Sequence, residues 1–305
     1  MLFRTLILKI AKSEALMSFI AHVGKRSGLA RRFVAGESLD EAMSVVQELN
    51  SRGILATLNL LGEEVGDERE AERVTSSYLA LLKGIHTSQV QANISIKLTQ
   101  LGLGINREIC AGHLKTILQR ARELNNFVRI DMEGSRYTQD TIHLFQEYFA
   151  LYSNHVGAVI QAYLYRSAED VRKLSALKCN IRLCKGAYME PSDIAFPKKK
   201  EVDRNFVKLM EMLLLSPSYL AIATHHREMI EHARRFTAQQ GVPPAHFEYQ
   251  MIYGIGREYQ KQIAQQGYKM RVYIPFGTQW APYFLRRLAE RPANCLFLLK
   301  SLSRA

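Results

Sequence analysis

Cysteine is scarce and scattered in this chain. Four of its 305 residues are cysteine (Cys110, Cys179, Cys184, Cys295), with no CxxC pair and no zinc-like spacing to histidine. That pattern argues against a metal site or a disulfide frame and fits a reducing compartment. Long apolar runs are missing as well: none approaches the roughly 18 residues that a membrane-spanning helix needs. The first strand-like run is followed by Gly62 alone, with no GxGxxG, which disfavours a doubly wound dinucleotide fold. No internal repeat and no low-complexity tract is present.

Acidic residues are thin at the start. Between Met1 and Arg32 seven Lys/Arg (Arg4, Lys9, Lys12, Lys25, Arg26, Arg31, Arg32) face one acid, Glu14. Residues 1–48 read as a helical segment. Leu2, Phe3, Leu6 and Ile10 form one apolar stripe, and Leu16, Phe19, Ile20 and Val23 form another. Such a segment either rests on an anionic membrane surface or packs as a flange on the main domain. An organellar presequence is a weaker fit. A secretory signal is disfavoured, because the basic residues are spread out and no small-residue cleavage site follows. The whole chain carries a net charge of +12, which suggests nucleic acid, an anionic surface or acidic small ligands as partners.

From residue 49 onward strand-like and helical stretches alternate. The strands are expected at 54–61, 94–98, 127–132, 158–164, 181–187, 220–226, 247–254 and 271–277, with amphipathic segments between them such as His113–Leu124, Thr141–Tyr152, Asn205–Leu215, Arg227–Gln239 and Glu258–Gly267. Eight such units in about 250 residues predict a (β/α)₈ barrel over 49–305. The segment 191–203 reads as the longest irregular stretch, its Lys198–Lys200 run as solvated loop.

Barrel enzymes act at the C-terminal ends of their strands. Polar residues gather there: Glu63, Lys97, Asp131, Glu133, Gln161, Tyr163, Arg182, Lys185, Tyr188, Thr224, His225, His226, Glu248, Gln250, Tyr253 and Tyr273. After Pro282 a helix places Tyr283, Arg286, Arg287 and Glu290 on one face, at i, i+3, i+4 and i+7. Two guanidiniums side by side can clamp a small carboxylate, although the same spacing also suits a solvated helix face.

These motifs resemble the proline dehydrogenase family, in particular its short, monofunctional bacterial enzymes. The matching pieces run in order along essentially the whole chain: LLGE (60–63), SIKLTQLG (95–102), RIDMEG (129–134), IQAYLYR (160–166), RLCKGAY (182–188), ATHH (223–226), FEYQMIYG (247–254), RVYIPFG (271–277) and YFLRRLAE (283–290). RLxKGAY together with YxxRRxxE is highly specific. The resemblance implies a distorted barrel with FAD at its mouth and an eighth helix lying over that mouth. Asp131 and Arg182 match active-site positions, with Arg182 donating near flavin N5. Lys97, Arg286 and Arg287 would hold the substrate carboxylate. Leu183, Ile252, Tyr273 and Tyr283 would wall the pyrrolidine ring, and Tyr188 joins the substrate-binding set. Met132, Gln161, Lys185, Gly186, Ala187, Thr224 and His225 match flavin contacts. Glu63 would pair with Arg286 as a gate, with Glu290 alongside.

The resemblance further implies oxidation of L-proline to Δ1-pyrroline-5-carboxylate. Tyr283 would crowd out a ring hydroxyl, so proline is expected over 4-hydroxyproline. Electrons would pass to a membrane quinone, and a separate pyrroline-5-carboxylate dehydrogenase would act downstream, since no segment resembles an aldehyde dehydrogenase. The expected location is cytoplasmic, at the inner membrane surface. Another flavin-dependent barrel, such as one like methylenetetrahydrofolate reductase, is argued against by the YxxRRxxE helix. A nucleic-acid-binding module lacks any aromatic-interleaved basic strand or basic recognition helix.

Overall fold

The computed structural model describes residues 32–62 and 64–281. Of the expected helical segment 1–48, residues 1–31 lie outside the described residues, 33–38 are not helical and the helix begins at Leu39; Glu63, the helix expected at 283–290 and the tail beyond it also lie outside.

Eight parallel strands close into one barrel in chain order, with β8 returning to pair with β1. They are β1 (Leu55–Leu60), β2 (Ala92–Ile96), β3 (Val128–Ile130), β4 (Val156–Gln161), β5 (Asn180–Cys184), β6 (Tyr219–Ala223), β7 (Phe247–Ile252) and β8 (Met270–Phe276). Helix α1 (Leu39–Asn50) precedes β1. Seven helices follow the first seven strands: α2 (Glu68–Thr87), α3 (Arg107–Glu123), α4 (Thr138–Tyr152), α5 (Ser167–Ser175), α6 (Lys199–Leu214), α7 (Arg227–Gln240) and α8 (Arg257–Gln265).

Each strand sorts its side chains by period two. Ala56, Leu58, Ile94, Ile96, Val128, Ile130, Ile181 and Leu183 are fully buried in the shell between strands and helices. The helices meet them with their own apolar stripes, such as Tyr78, Leu81, Leu82 and Ile85 of α2. The opposite, inward face is polar: Thr57 and Asn59, Asn93 and Ser95, Arg129 and Asp131, Arg182, Glu248 and Gln250, Arg271 and Tyr273 lie in mutual register around the ring. A barrel of this kind is ordinarily filled by branched aliphatic residues. Here its interior is hydrogen-bonded.

Several helix starts follow from local chemistry. Ser38 caps α1, accepting the Glu41 N–H, and Glu41 reaches back to the Ser38 N–H in a capping box. Asp67 and Asn106 cap α2 and α3 in the same sense. The 33–37 segment is fastened to the end of β8: Ala35 N–H donates to Pro275, Gly277 N–H to Gly36, and the Trp280 indole to Glu37. With Ala42, Met43 and Val46 of α1 buried, the chain just before β1 is part of the barrel wall.

All eight expected strands form, with shifted ends. The fourth runs over Val156–Gln161, not 158–164: Tyr163 N–H still donates to Lys185, but Leu164 N–H turns back to Gln161, and the Tyr163 carbonyl and Tyr165 N–H bond to Phe196 and Ile194. The fifth stops at Cys184, two residues before Gly186 takes a φ of +105° outside the β region. Lys199 and Lys200 belong to the first turn of α6 and not to a loop, since Glu201 accepts the Lys198 N–H and starts the helix there. They are exposed, as expected.

Gly157, inside β4, faces the lower barrel. A Cβ there would stand 2.6 Å from Arg129 Nη1 and from the Asn180 carbonyl. Gly157→Ala is therefore expected to cost about 1–3 kcal/mol through overpacking, read as a fall in the urea midpoint; a variant as stable as the parent would contradict this packing.

Candidate active site

Asp131 follows β3 and its carboxylate gathers donors from three other strands. Oδ1 accepts from Arg182 Nη1 at 2.7 Å and from Ser95 Oγ at 3.0 Å; Oδ2 accepts from Tyr273 OH at 2.8 Å. Lys97 Nζ lies 3.7 Å from Oδ2 and donates to Asn59 Oδ1 at 3.3 Å. Arg182 also donates through Nη1 to Ser95 and through Nε to Gln250 Oε1, at 2.6 Å. Its guanidinium sits 5.2 Å from the Tyr273 ring centroid, within cation–π range. Two cations, a phenol and a hydroxyl thus converge on one carboxylate at the C-terminal ends of β2, β3, β5 and β8.

The Tyr273 phenol is pushed well above its usual range, by burial first and by the Asp131 charge second. It therefore remains a donor throughout the neutral range. Beside this group, Glu133 accepts from the Thr99 N–H and hydroxyl, at 3.1 and 2.6 Å. Burial pushes its carboxyl above the usual range.

Among the described residues, three buried polar atoms at the mouth have no partner: Arg182 Nη2, a donor, Gln161 Oε1, an acceptor, and His226 Nδ1. Gln161 is held in place by its amide nitrogen, which donates to the Met132 and Glu133 carbonyls at 2.9 and 2.8 Å. Orphaned groups of this kind are rare in folded proteins unless a ligand completes them. Gly186 packs directly on the Tyr163 ring, where a Cβ would collide, so its missing side chain serves that contact. A buried acceptor and a buried cationic donor fit a flavin, whose ring offers both an N–H and unprotonated nitrogens.

The other expected residues divide into three groups. Lys185 leaves β5 and pairs with Asp203 of α6 at 2.5 Å. Thr224 is buried past the end of β6, where its hydroxyl accepts the His226 N–H; His225 Nε2 accepts the Ile252 N–H at 2.9 Å. Ile252 pairs in register with Tyr273, so both face the interior. Met132 is buried, while Ala187 and Tyr188 lie in the loop after β5, Tyr188 exposed. Leu183 is not brought into this group: register places it with Ile160 and Ile222 on the helix-facing side, fully buried. Glu63, Tyr283, Arg286, Arg287 and Glu290 lie outside the described residues. Glu248, placed among the mouth residues by sequence, sits one turn of the pleat deeper, because it is the second residue of β7.

Sequence reasoning gave no role to Ser95, which bridges Asp131 and Arg182, nor to Gln250. The available signal was polar residues at alternate positions on otherwise apolar strands.

Comparison with known proteins gives a consistent result. The family profile described as proline dehydrogenase matches residues 42–299. Proline dehydrogenase 1 of Bacillus subtilis (strain 168) is 41% identical over 301 residues, covering 99% of both chains. The proline dehydrogenase of Deinococcus radiodurans is 36% identical, covering 99% of this chain and 98% of its own. Among solved structures, proline utilization A (PutA) from Bdellovibrio bacteriovorus, inactivated by N-propargylglycine, superposes with a TM-score of 0.83 at 26% identity; the match covers 94% of this chain but 36% of that longer one.

The Tyr273 phenol should stay neutral where exposed phenols ionise. Tyr273→Phe is expected to leave unchanged the number of tyrosines that titrate by ultraviolet absorbance up to about pH 11. Loss of one titrating phenol in that range would contradict the burial and charge described.

Proposed function

The chain belongs to the proline dehydrogenase family, and on that footing we propose that it holds FAD at the barrel mouth and oxidises L-proline to Δ1-pyrroline-5-carboxylate. The observation that carries the reading is that Arg182 Nη2 and Gln161 Oε1, both buried at the mouth of a barrel whose inward face is polar, have no partner among the described residues. When bound, the flavin supplies a hydride acceptor at N5. Arg182 Nη2 would be the donor on that side of the ring, Gln161 Oε1 would accept from it, and Lys185, held by Asp203, would offer a cation to the phosphates.

The remaining residues orient proline. Lys97, with Arg286 and Arg287, is assigned to the carboxylate. Tyr273, its hydroxyl tied to Asp131, and Ile252 beside it are assigned to the pyrrolidine ring, with Tyr283. Asp131 balances Lys97 and Arg182 and keeps both side chains in place. The cations around the substrate also favour the neutral amine, whose lone pair would assist loss of hydride from the adjacent ring carbon. Proximity and orientation, not covalent chemistry, are what this chain contributes.

Electrons are proposed to leave to a membrane quinone, with a separate dehydrogenase consuming the product. The supporting features are the basic, acid-poor sequence of residues 1–32 and relatives that cover this chain end to end. Among the described residues no helix is long and apolar enough to cross a membrane. Peripheral attachment at the cytoplasmic face of the inner membrane is therefore the form of contact proposed.

Reconstitution with FAD is expected to give a yellow protein whose flavin absorbance bleaches on anaerobic addition of L-proline. A flavin that binds but stays oxidised with proline would sink the substrate assignment, and failure to bind FAD would sink the cofactor. Binding to anionic vesicles is expected to weaken as salt rises from about 0.05 to 0.5 M and to disappear on removing residues 1–32; binding insensitive to either would refute the membrane role.

A further inference from the structure

Below the residues just assigned, the barrel holds a carboxylate that the reaction does not use. Glu248 is 3% exposed. It accepts from Arg271 Nε at 2.8 Å, from Gln250 Nε2 at 2.5 Å and from Tyr219 OH at 3.3 Å. Burial pushes this carboxyl up, but the charge and hydrogen bond of Arg271 outweigh it and hold Glu248 below the usual range.

A carboxylate can only accept. Gln250, itself 3% exposed, must therefore turn its amide nitrogen down to Glu248 and its carbonyl oxygen up. That oxygen is what receives Arg182 Nε, at 2.6 Å. With Nε committed to Gln250 and Nη1 to Asp131 and Ser95, Nη2 is the part of the guanidinium without a partner among the described residues. A primary amide is nearly symmetric in shape, so packing alone does not choose its orientation. Flipped, it would face Arg182 Nε–H with N–H, donor against donor.

We propose that Glu248 is a positioning residue for the reaction: its negative charge sets the orientation of the Gln250 amide, which in turn aims the Arg182 guanidinium at the flavin. The chain Arg271–Glu248–Gln250–Arg182–Asp131 runs from the lower barrel to the mouth, each link made by a bond of 2.8 Å or less. The effect on catalysis rests on the flavin reading above; the effect on Arg182 does not.

Glu248→Gln keeps the size of the side chain and removes the charge. Because it also leaves Arg271 without its counter-ion, the double variant Glu248→Gln/Arg271→Gln serves as its partner, exchanging a buried ion pair for an amide pair. In the flavin-free full-length chain, the Arg182 Nε–H resonance, assigned with Arg182→Lys, should be slowly exchanging in the parent and lost or shifted in both variants. In the reconstituted enzyme, kcat should fall about 10²-fold in both, with KM for proline changed less than about threefold, even where the double variant regains the parent's thermal stability. An unmoved Arg182 resonance, or kcat restored together with stability in the double variant, would overturn the proposal and make Glu248 a structural anion only. A chain that fails to bind FAD while its Arg182 resonance still responds to Glu248→Gln would overturn the flavin reading and leave the positioning of Arg182 standing.

Discussion

The Asp131 carboxylate is the anion on which the upper half of this barrel depends. Arg182 is nearly inaccessible to water and Lys97 is largely enclosed, so neither charge is solvated as it would be at a surface. Burying such a cation is costly unless a counter-charge and hydrogen bonds compensate it, and removing one partner of a buried pair typically costs about 3–5 kcal/mol. Asp131 supplies that compensation to both cations and fixes the Tyr273 hydroxyl as well. The same carboxylate therefore holds the fold of the mouth and the attitude of the groups that face the ligand.

The lower half follows the same rule with different residues. Arg129, fully buried, spends its guanidinium on the Ala158 and Asn180 carbonyls and the Asn180 side chain, and lies 4.9 Å from the Phe127 ring. Burial, with the charge of Arg182 second, pushes it down to about 9, still protonated at neutral pH. Around the described inner face, Lys97, Arg129, Arg182 and Arg271 outnumber Asp131 and Glu248. An interior with surplus positive charge favours anionic occupants, which suits the carboxylate substrate and the flavin proposed above. An aliphatic filling would be as stable or more so, but could not supply that field.

How far the sequence speaks depends on the kind of signal. Eight apolar runs separated by amphipathic stretches are enough for the barrel, because parallel strands with helical crossovers leave few alternatives. Strand ends were less legible: whether residues 163–165 continue β4 depends on 194–196 being there to bond with them, which no local pattern reveals. At the site, charged residues at strand ends such as Lys97, Asp131 and Arg182 stood out. Ser95 did not, since one small hydroxyl in ISIKL looks like tolerance of polarity until Asp131 and Arg182 are seen on either side of it. Glu248 was visible but assigned to the wrong depth, because two residues along a strand separate the mouth from the layer beneath it. Leu183 illustrates the reverse limit. A residue inside a diagnostic motif can serve the wall of the barrel, as alternation next to Arg182 requires.

The seam between β1 and β8 has a consequence for how the chain folds. Arg271 reaches the Ala56 carbonyl across 215 residues of sequence, and the bonds of Ala35, Gly36 and the Glu37 side chain to Pro275, Gly277 and Trp280 wait for the far end of the chain. Until β8 arrives, β1 presents an open edge on one side, and the polar inner face has no closed ring in which to satisfy itself. Contacts this distant make for slow closure and a long interval of exposure. During synthesis the first strand made is among the last to be sealed, so the barrel's greatest risk of wrong pairing lies in the time between its two ends.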